Sequence, residues 1–134
     1  MRSKKKYTAA IIGTGRIGFA LGFDKKREQP ASHTASLRGN PRIRIIAGCD
    51  TDAEKLAAWK RYCRSAASYH TASYLFAACS PDIVVAAVNE SAHVEVALEA
   101  IRSKPKLLIL EKPVALSMKD GLTIADEAKK YGVP

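Results

Sequence analysis

Five short apolar runs punctuate the chain: Tyr7 to Ile12, Ile43 to Cys49, a weaker Ala66 to Tyr69, Ile83 to Val88, and Leu107 to Leu110. They are β-branched or Leu-rich and lack polar alternation, the pattern of strands covered on both faces. Between them, apolar residues recur at helical spacing. Leu56, Trp59 and Cys63 fall at i, i+3 and i+7, behind Thr51 and Glu54, which form a capping-box pattern. Val94, Ala97, Leu98 and Ile101 make a second stripe with Ser91 available as its cap. Met118, Leu122 and Ala125 make a third behind Ser117, with Asp120 three residues on. Strand and helix in repeated alternation predict an α/β fold, a doubly wound parallel sheet in three layers, α/β/α.

One segment, residues about 23–41, breaks this rhythm. It carries Lys25, Lys26, Arg27, Gln29 and Pro30 where a helix should lead directly into the second strand, so it reads as an insertion. Ser32 to Leu37 recovers a short helix, which Asn40-Pro41 ends, because the residue before proline avoids helical geometry. A loop at this position is either a plain surface excursion or one that approaches a bound ligand.

The 134 residues, 47% of them hydrophobic, suit one domain with its own core. No run approaches the roughly 20 apolar residues that cross a bilayer, and Met1 to Lys6 is too polar to open a secretory signal. A cytoplasmic protein without membrane partners is expected. Cys49, Cys63 and Cys79 are odd in number and show no CxxC pairing, so they read as reduced core residues, and no metal site is expected. The net charge of +9 raises nucleic acid as a partner. Lys4, Lys5 and Lys6 form a solvated leader and the other charges are dispersed, so that class is set aside.

Chemistry begins after the first strand. Gly13-Thr14-Gly15-Arg16-Ile17-Gly18 fits GxGxxG, follows an apolar strand and opens a helical segment, which is the context a dinucleotide fingerprint requires. Gly13 permits the tight turn, Gly15 lets the backbone approach a pyrophosphate, and Gly18 allows close packing on the strand. The helix N-terminus would face the phosphates. Asp50, at the end of the second strand, is placed to accept hydrogen bonds from both hydroxyls of the adenosine ribose and to repel a 2′-phosphate, which favours NAD. It lies 32 positions beyond Gly18 where about 20 are usual, an excess the insertion explains. Arg42, Arg44 and Lys55 nearby keep NADP open. Ligands of such sheets sit beyond the carboxyl ends of the strands, so Asn89 and Glu90 after the fourth strand, His93 in the following helix, and Glu111-Lys112-Pro113 after the fifth should all face the cofactor cleft.

Taken in order, Gly13 to Gly18, Asp50, Ile83 to Val88 with His93 and Ala97 behind it, and Glu111-Lys112-Pro113 followed by Ala115-Leu116-Ser117 resemble the Gfo/Idh/MocA oxidoreductases over nearly the whole chain. The resemblance implies a Rossmann domain, with Lys112 as the catalytic lysine that holds the reacting oxygen. It further implies that Pro113 sets Lys112 beside the nicotinamide across a Lys-Pro peptide that is often cis, and that His93 lies near the nicotinamide ribose. An ammonium in a partly buried cleft can stabilise alkoxide charge as hydride leaves carbon, which agrees with that role. Val88-Asn89-Glu90 departs from the family's usual Thr-Pro and puts the cofactor contacts of that turn in doubt.

The expected function is that of the nicotinamide-nucleotide-binding domain of an oxidoreductase acting on a sugar, inositol or related polyol. By the resemblance, the family's C-terminal α+β substrate domain is absent from this chain, and such enzymes commonly form homo-oligomers. The chain alone is therefore expected to show no useful turnover, and its fifth strand to be an apolar edge prone to self-association. A non-catalytic dinucleotide sensor is the alternative. It would keep the glycine motif and Asp50 but would have no need of Lys112.

Overall fold

The computed structural model describes residues 6–134, so Lys4 and Lys5 of the expected basic leader lie outside it. Five strands form one parallel sheet: β1 (Tyr7–Ile12), β2 (Ile43–Cys49), β3 (Ala67–Tyr69), β4 (Ile83–Ala86) and β5 (Leu107–Leu110), in the order β3-β2-β1-β4-β5. The strand order reverses between β1 and β4, which is where a doubly wound sheet opens a crevice. Two readings of strand ends are corrected: β3 starts at Ala67, and β4 stops at Ala86, whose following residue still donates its N–H to the Ile12 carbonyl at 2.7 Å before the chain leads into the next helix.

Helices α1 (His33–Arg38), α2 (Ala53–Tyr62), α3 (Ala72–Ala78), α4 (Glu90–Arg102) and α5 (Met118–Tyr131) cover both faces. On one face Ala9, Ile11, Ile83 and Val85 pack with Leu37 of α1, and Trp59 of α2 lies over Gly48. On the other, Ala10, Ile12, Ala47, Cys49 and Val84 pack with Ala72 and Leu75 of α3 and Ala100 of α4. Burying these side chains supplies most of the driving force, at about 25 cal/mol per Å² of apolar area. No helix among the described residues is long and apolar enough to cross a membrane.

Several local readings are revised. Helix α3 has no counterpart in the sequence reading; Thr71 caps it. At α2 the cap is Asp52, whose carboxylate accepts the N–H groups of Glu54 and Lys55, in place of the Thr51–Glu54 box. Ser91 lies inside α4, whose N-cap position is Asn89 and whose first turn has no side-chain cap. Ser117 caps α5 through Asp120 as expected, but the stripe on that helix is rotated. Met118 and Leu122 are exposed, while Ile124, Ala128 and Tyr131 pack on Ala97, Ile101 and Leu108. Spacing alone does not separate two apolar stripes on one helix; contact with α4 selects the second.

The chain after the glycine motif is the largest departure. Instead of a long helix there is one wide turn, with Phe19 and Ala20 both donating to the Gly15 carbonyl and Leu21 to that of Arg16, then a four-residue 3₁₀ helix, Ala20–Phe23. The polar run from Asp24 to Pro30 has no apolar stripe to hold it on the sheet, so the crossover is completed by the short α1, capped by Ser32.

β5 is the expected edge strand. Leu107 and Glu111 face β4, and on the other side the Leu108 N–H donates to the Pro134 carbonyl at 2.9 Å. At the amino end of the sheet, Asp82 ties β1 to β4: its carboxylate accepts the Thr8 N–H at 2.9 Å and the ammonium of Lys106. The hydrogen bond from Lys106, then that from Thr8, holds the Asp82 carboxyl down at about 2.

Two outcomes follow from this packing. A Cβ on Gly18 would lie 2.0 Å from the Gly13 carbonyl oxygen, and neither partner is a flexible side chain. Gly18→Ala should therefore cost more than ~3 kcal/mol or prevent folding, and a thermal melt matching the wild type would refute it. Asp82 has a depressed folded-state pKa, so its contribution is present above the unfolded value of about 3.9 and disappears as pH falls through about 2. Asp82→Asn should melt a few degrees below wild type at pH 7, with the gap closing between about pH 4 and pH 2; a gap independent of pH would contradict this.

Candidate functional site

Beyond the carboxyl ends of β1, β2 and β4 lies a cleft of about 200 Å³. Its walls include Gly13, Gly15, Asp50, Thr51, Lys55, Asn89 and Ser91, with Ile12, Ala72, Val88 and Val96 as apolar lining. The sequence anticipates Gly13, Gly15, Asp50 and Asn89 here. It misses Thr51 and Ser91, which read as caps, and Ala72 at the start of α3.

Gly13 adopts φ +97°, and a Cβ there would lie 2.3 Å from the Ala87 carbonyl oxygen, so only glycine lets the turn pass this close to the end of β4. Gly15 differs. Only the Lys55 Nζ, at 4.0 Å, lies near the position of its missing Cβ, so its backbone is open to an incoming group and a cation stands beside it. Gly18 closes the turn on Gly13. Arg16 and Ile17 are exposed and do not line the cleft.

Asp50 is half-buried and already engaged. Its Oδ2 accepts the N–H of Thr14 at 2.9 Å and the Thr14 hydroxyl at 3.0 Å, while Oδ1 accepts the Asp52 N–H at 2.8 Å. A carboxylate offers about four acceptor sites, so about one remains toward the cleft rather than the two that both ribose hydroxyls would need. Asp50 thus fixes the glycine turn as well as facing the cleft. Of the three cations expected near it, only Lys55 lines the cleft. Arg44 faces a separate hollow of about 460 Å³ that it shares with Arg38 and Arg64, and Arg42 lies over Tyr7. That hollow is the larger of the two but adjoins the amino end of β2, remote from the glycine turn; Arg38 and Arg64 there donate to the carbonyls of Tyr62 and Arg61.

Helix α4 starts in the cleft, with Asn89, Ser91 and Ala92 on its wall. It is the one described α-helix with no side-chain cap; the Ala92 N–H donates to the Asn89 carbonyl at 2.9 Å, and the start of the helix can present its remaining N–H groups to an anionic or polar ligand. Glu90, exposed on that turn, does not line the cleft. Cys49 does, but burial, followed by the charges of Asp50 and Glu99, pushes its thiol up to about 12, so it is no nucleophile. Burial also raises Cys63 and Cys79, and all three cysteines are free. No cluster with metal-ligand character occurs among the described residues.

The Glu111-Lys112-Pro113 turn follows β5, with the Glu111 N–H donating to Ala86 and a cis Lys112–Pro113 peptide. Lys112 is exposed, so the described residues do not give it the partial burial expected of it. His93 is not on the rim. It is 1% exposed, and its Nδ1 lies 3.3 Å from the Val114 carbonyl, tying α4 to this turn. The turn's other partner is not legible in the sequence: His33 Nε2 lies 2.5 Å from Glu111 Oε1, joining the insertion to the end of β5 across 78 positions.

The profile described as "Oxidoreductase family, NAD-binding Rossmann fold" matches residues 7–134. No curated protein matches in sequence. Among solved structures, the WlbA dehydrogenase from Bordetella pertussis in complex with NADH and UDP-GlcNAcA superposes with a TM-score of 0.81 at 23% identity, over 98% of this chain and 34% of that one. An oxidoreductase from Agrobacterium radiobacter in complex with NAD+, L-tartaric acid and magnesium gives 0.81 at 23% identity, over 97% and 34%. Myo-inositol 2-dehydrogenase from Lactobacillus plantarum gives 0.77 at 20%, over 95% and 34%. The chain thus spans about a third of the length of these structures, and at such identities they establish the fold. With the profile covering all but its first residues, the chain belongs to the Gfo/Idh/MocA oxidoreductase family and carries that family's NAD-binding Rossmann fold.

Proposed function

We propose that this chain binds NAD in the cleft at the ends of β1, β2 and β4 and serves as the cofactor-holding part of an oxidoreductase acting on a sugar, inositol or related polyol. The observation that carries the reading is the Gly15 backbone, open to the cleft beside the Lys55 ammonium and above the Asp50 carboxylate. An anionic pyrophosphate fits against Gly15, Lys55 and the uncapped start of α4, each of which presents N–H groups or positive charge. The adenine has an apolar lining in Ile12, Ala72, Val88 and Val96. The remaining acceptor of Asp50 takes one ribose hydroxyl. A 2′-phosphate would meet that carboxylate at close range, so NAD is preferred and Lys55 leaves only weak binding of NADP.

The cofactor, when bound, accepts or supplies the hydride. Lys112 is exposed at the end of β5, where its ammonium would hold the substrate oxygen and offset the charge that develops there. A closed, water-free site needs a second wall over Lys112, which these residues do not provide. The substrate class is supported by the structural neighbours, among them a dehydrogenase in complex with UDP-GlcNAcA and a myo-inositol 2-dehydrogenase.

Calorimetric titration of NAD, NADH, NADP and NADPH into the chain tests this. NAD(H) should bind more tightly than NADP(H) by about 1.4 kcal/mol or more, a factor of ten. Asp50→Ala should weaken NAD(H) and also lower stability by ~1–3 kcal/mol, since the buried N–H and hydroxyl of Thr14 lose their acceptor. No hydride transfer with sugars or polyols is expected from the chain alone. Absence of any binding, or a preference for NADP, would sink the assignment.

A further inference from the structure

The described residues contain three ion pairs and one close histidine–carboxylate contact, which is unlike the rest. Arg27–Asp24 at 3.4 Å and Arg102–Glu127 at 3.6 Å each expose about half of the arginine side chain, and Lys106–Asp82 exposes 57% of its lysine. His33 and Glu111 meet at 2.5 Å with 21% and 25% of their side chains exposed. Exposed pairs are worth little, whereas a close, sheltered contact fixes geometry.

Its two ends matter more than its strength. The His33 N–H donates to the Ile17 carbonyl at 2.9 Å, and the next residue, Thr34, donates its N–H and hydroxyl to the Gly18 carbonyl at 3.0 and 2.6 Å. His33 is thereby fastened through its backbone to the end of the glycine turn. Its imidazole reaches Glu111, whose own backbone is held by Ala86 and whose Oε2 lies 3.4 Å from the Lys112 N–H.

We propose that His33 is a positioning residue, a latch that couples the glycine turn to the Glu111-Lys112-Pro113 turn and so fixes where Lys112 stands relative to a bound dinucleotide. The inference rests on the dinucleotide reading above. It also gives the insertion a role, since Ser32 and the start of α1 deliver the imidazole to the lysine turn. Small errors in such placement are costly, because a reacting group displaced by about 1 Å loses much of its effect.

The test compares wild type, His33→Leu and His33→Gln, since a glutamine amide nitrogen can occupy the place of Nε2 and keep the bond to Glu111. Three quantities are read on the chain: melting temperature, affinities for ADP-ribose and for NADH, and the amide NMR signals of Lys112 and Val114 without ligand. His33→Leu should move both signals and weaken NADH about fivefold while leaving ADP-ribose unchanged, and His33→Gln should restore both. ADP-ribose lacks the nicotinamide end, so a merely structural role would weaken both ligands together, with a lower melting temperature in both variants; that pattern overturns the latch. So do signals and NADH affinity untouched by His33→Leu. If wild type binds neither ligand, the dinucleotide reading fails on its own account. The coupling of the two turns is then decided by the NMR signals, standing if His33→Leu moves them and His33→Gln restores them, and falling otherwise.

Discussion

Everything at the cleft depends on one close approach, that of Gly18 to the carbonyl of Gly13. Because no Cβ can stand between them, the chain leaving β1 doubles back within six residues and lies against the strand end. The other contacts of the turn reinforce this closure. Asp50 clamps Thr14 from the side of β2, Thr34 donates to Gly18 from α1, and Trp59 donates from the core to the Thr34 hydroxyl at 3.2 Å. The indole of Trp59 in turn lies over Gly48, where a Cβ would meet the ring at 2.4 Å. A continuous chain of contacts thus runs from the buried centre of α2 to the turn that faces the cleft.

What is legible in the sequence follows from how local its cause is. The strands can be read because each is a short run without polar alternation, most plainly the buried β1, β4 and end of β2, while β3 and β5 at the sheet edges are more exposed; GxGxxG can be read because its glycines answer to backbone geometry within one turn. The caps of α2 and α4 fall a residue or two from where the sequence puts them, since Thr51, Asp52, Asn89 and Ser91 are all competent and only the path of the chain selects among them. The wrong stripe on α5 has the same origin: Met118 and Leu122 are as apolar as Ile124 and Tyr131, and the choice between them is made by α4. His33 carries no local signal. Its meaning lies in Glu111, 78 positions away, which only the fold brings near.

Part of the positive charge that first suggests nucleic acid, six of the 22 lysines and arginines, sits at helix ends. Arg38, Lys60, Arg61, Arg102, Lys129 and Lys130 sit in last turns, where a cation offsets the negative end of the helix dipole, and Lys60 donates directly to the carbonyls of Arg64 and Ala66. These six belong to four different helix ends. Lys55 instead stands in the first turn of α2 beside Gly15, where the dipole disfavours a cation and a bound anion would favour one.

The two ends of the sheet use aspartate for opposite purposes. Asp82, at the amino end, has its carboxylate taken up by Thr8 and Lys106, and joins β1 to β4. Asp50, at the carboxyl end, is also held by backbone and hydroxyl donors, yet one acceptor position stays open to the cleft. The difference follows from the parallel sheet itself. All strands run the same way, so every loop that leaves a carboxyl end gathers on one side, and the turns after β1, β2, β4 and β5 are forced into one neighbourhood. The amino end receives only returning chain and can be closed by side chains such as Asp82 and Lys106. The candidate site lies at the other end because that is where the topology gathers open backbone groups and a carboxylate with an acceptor position to spare.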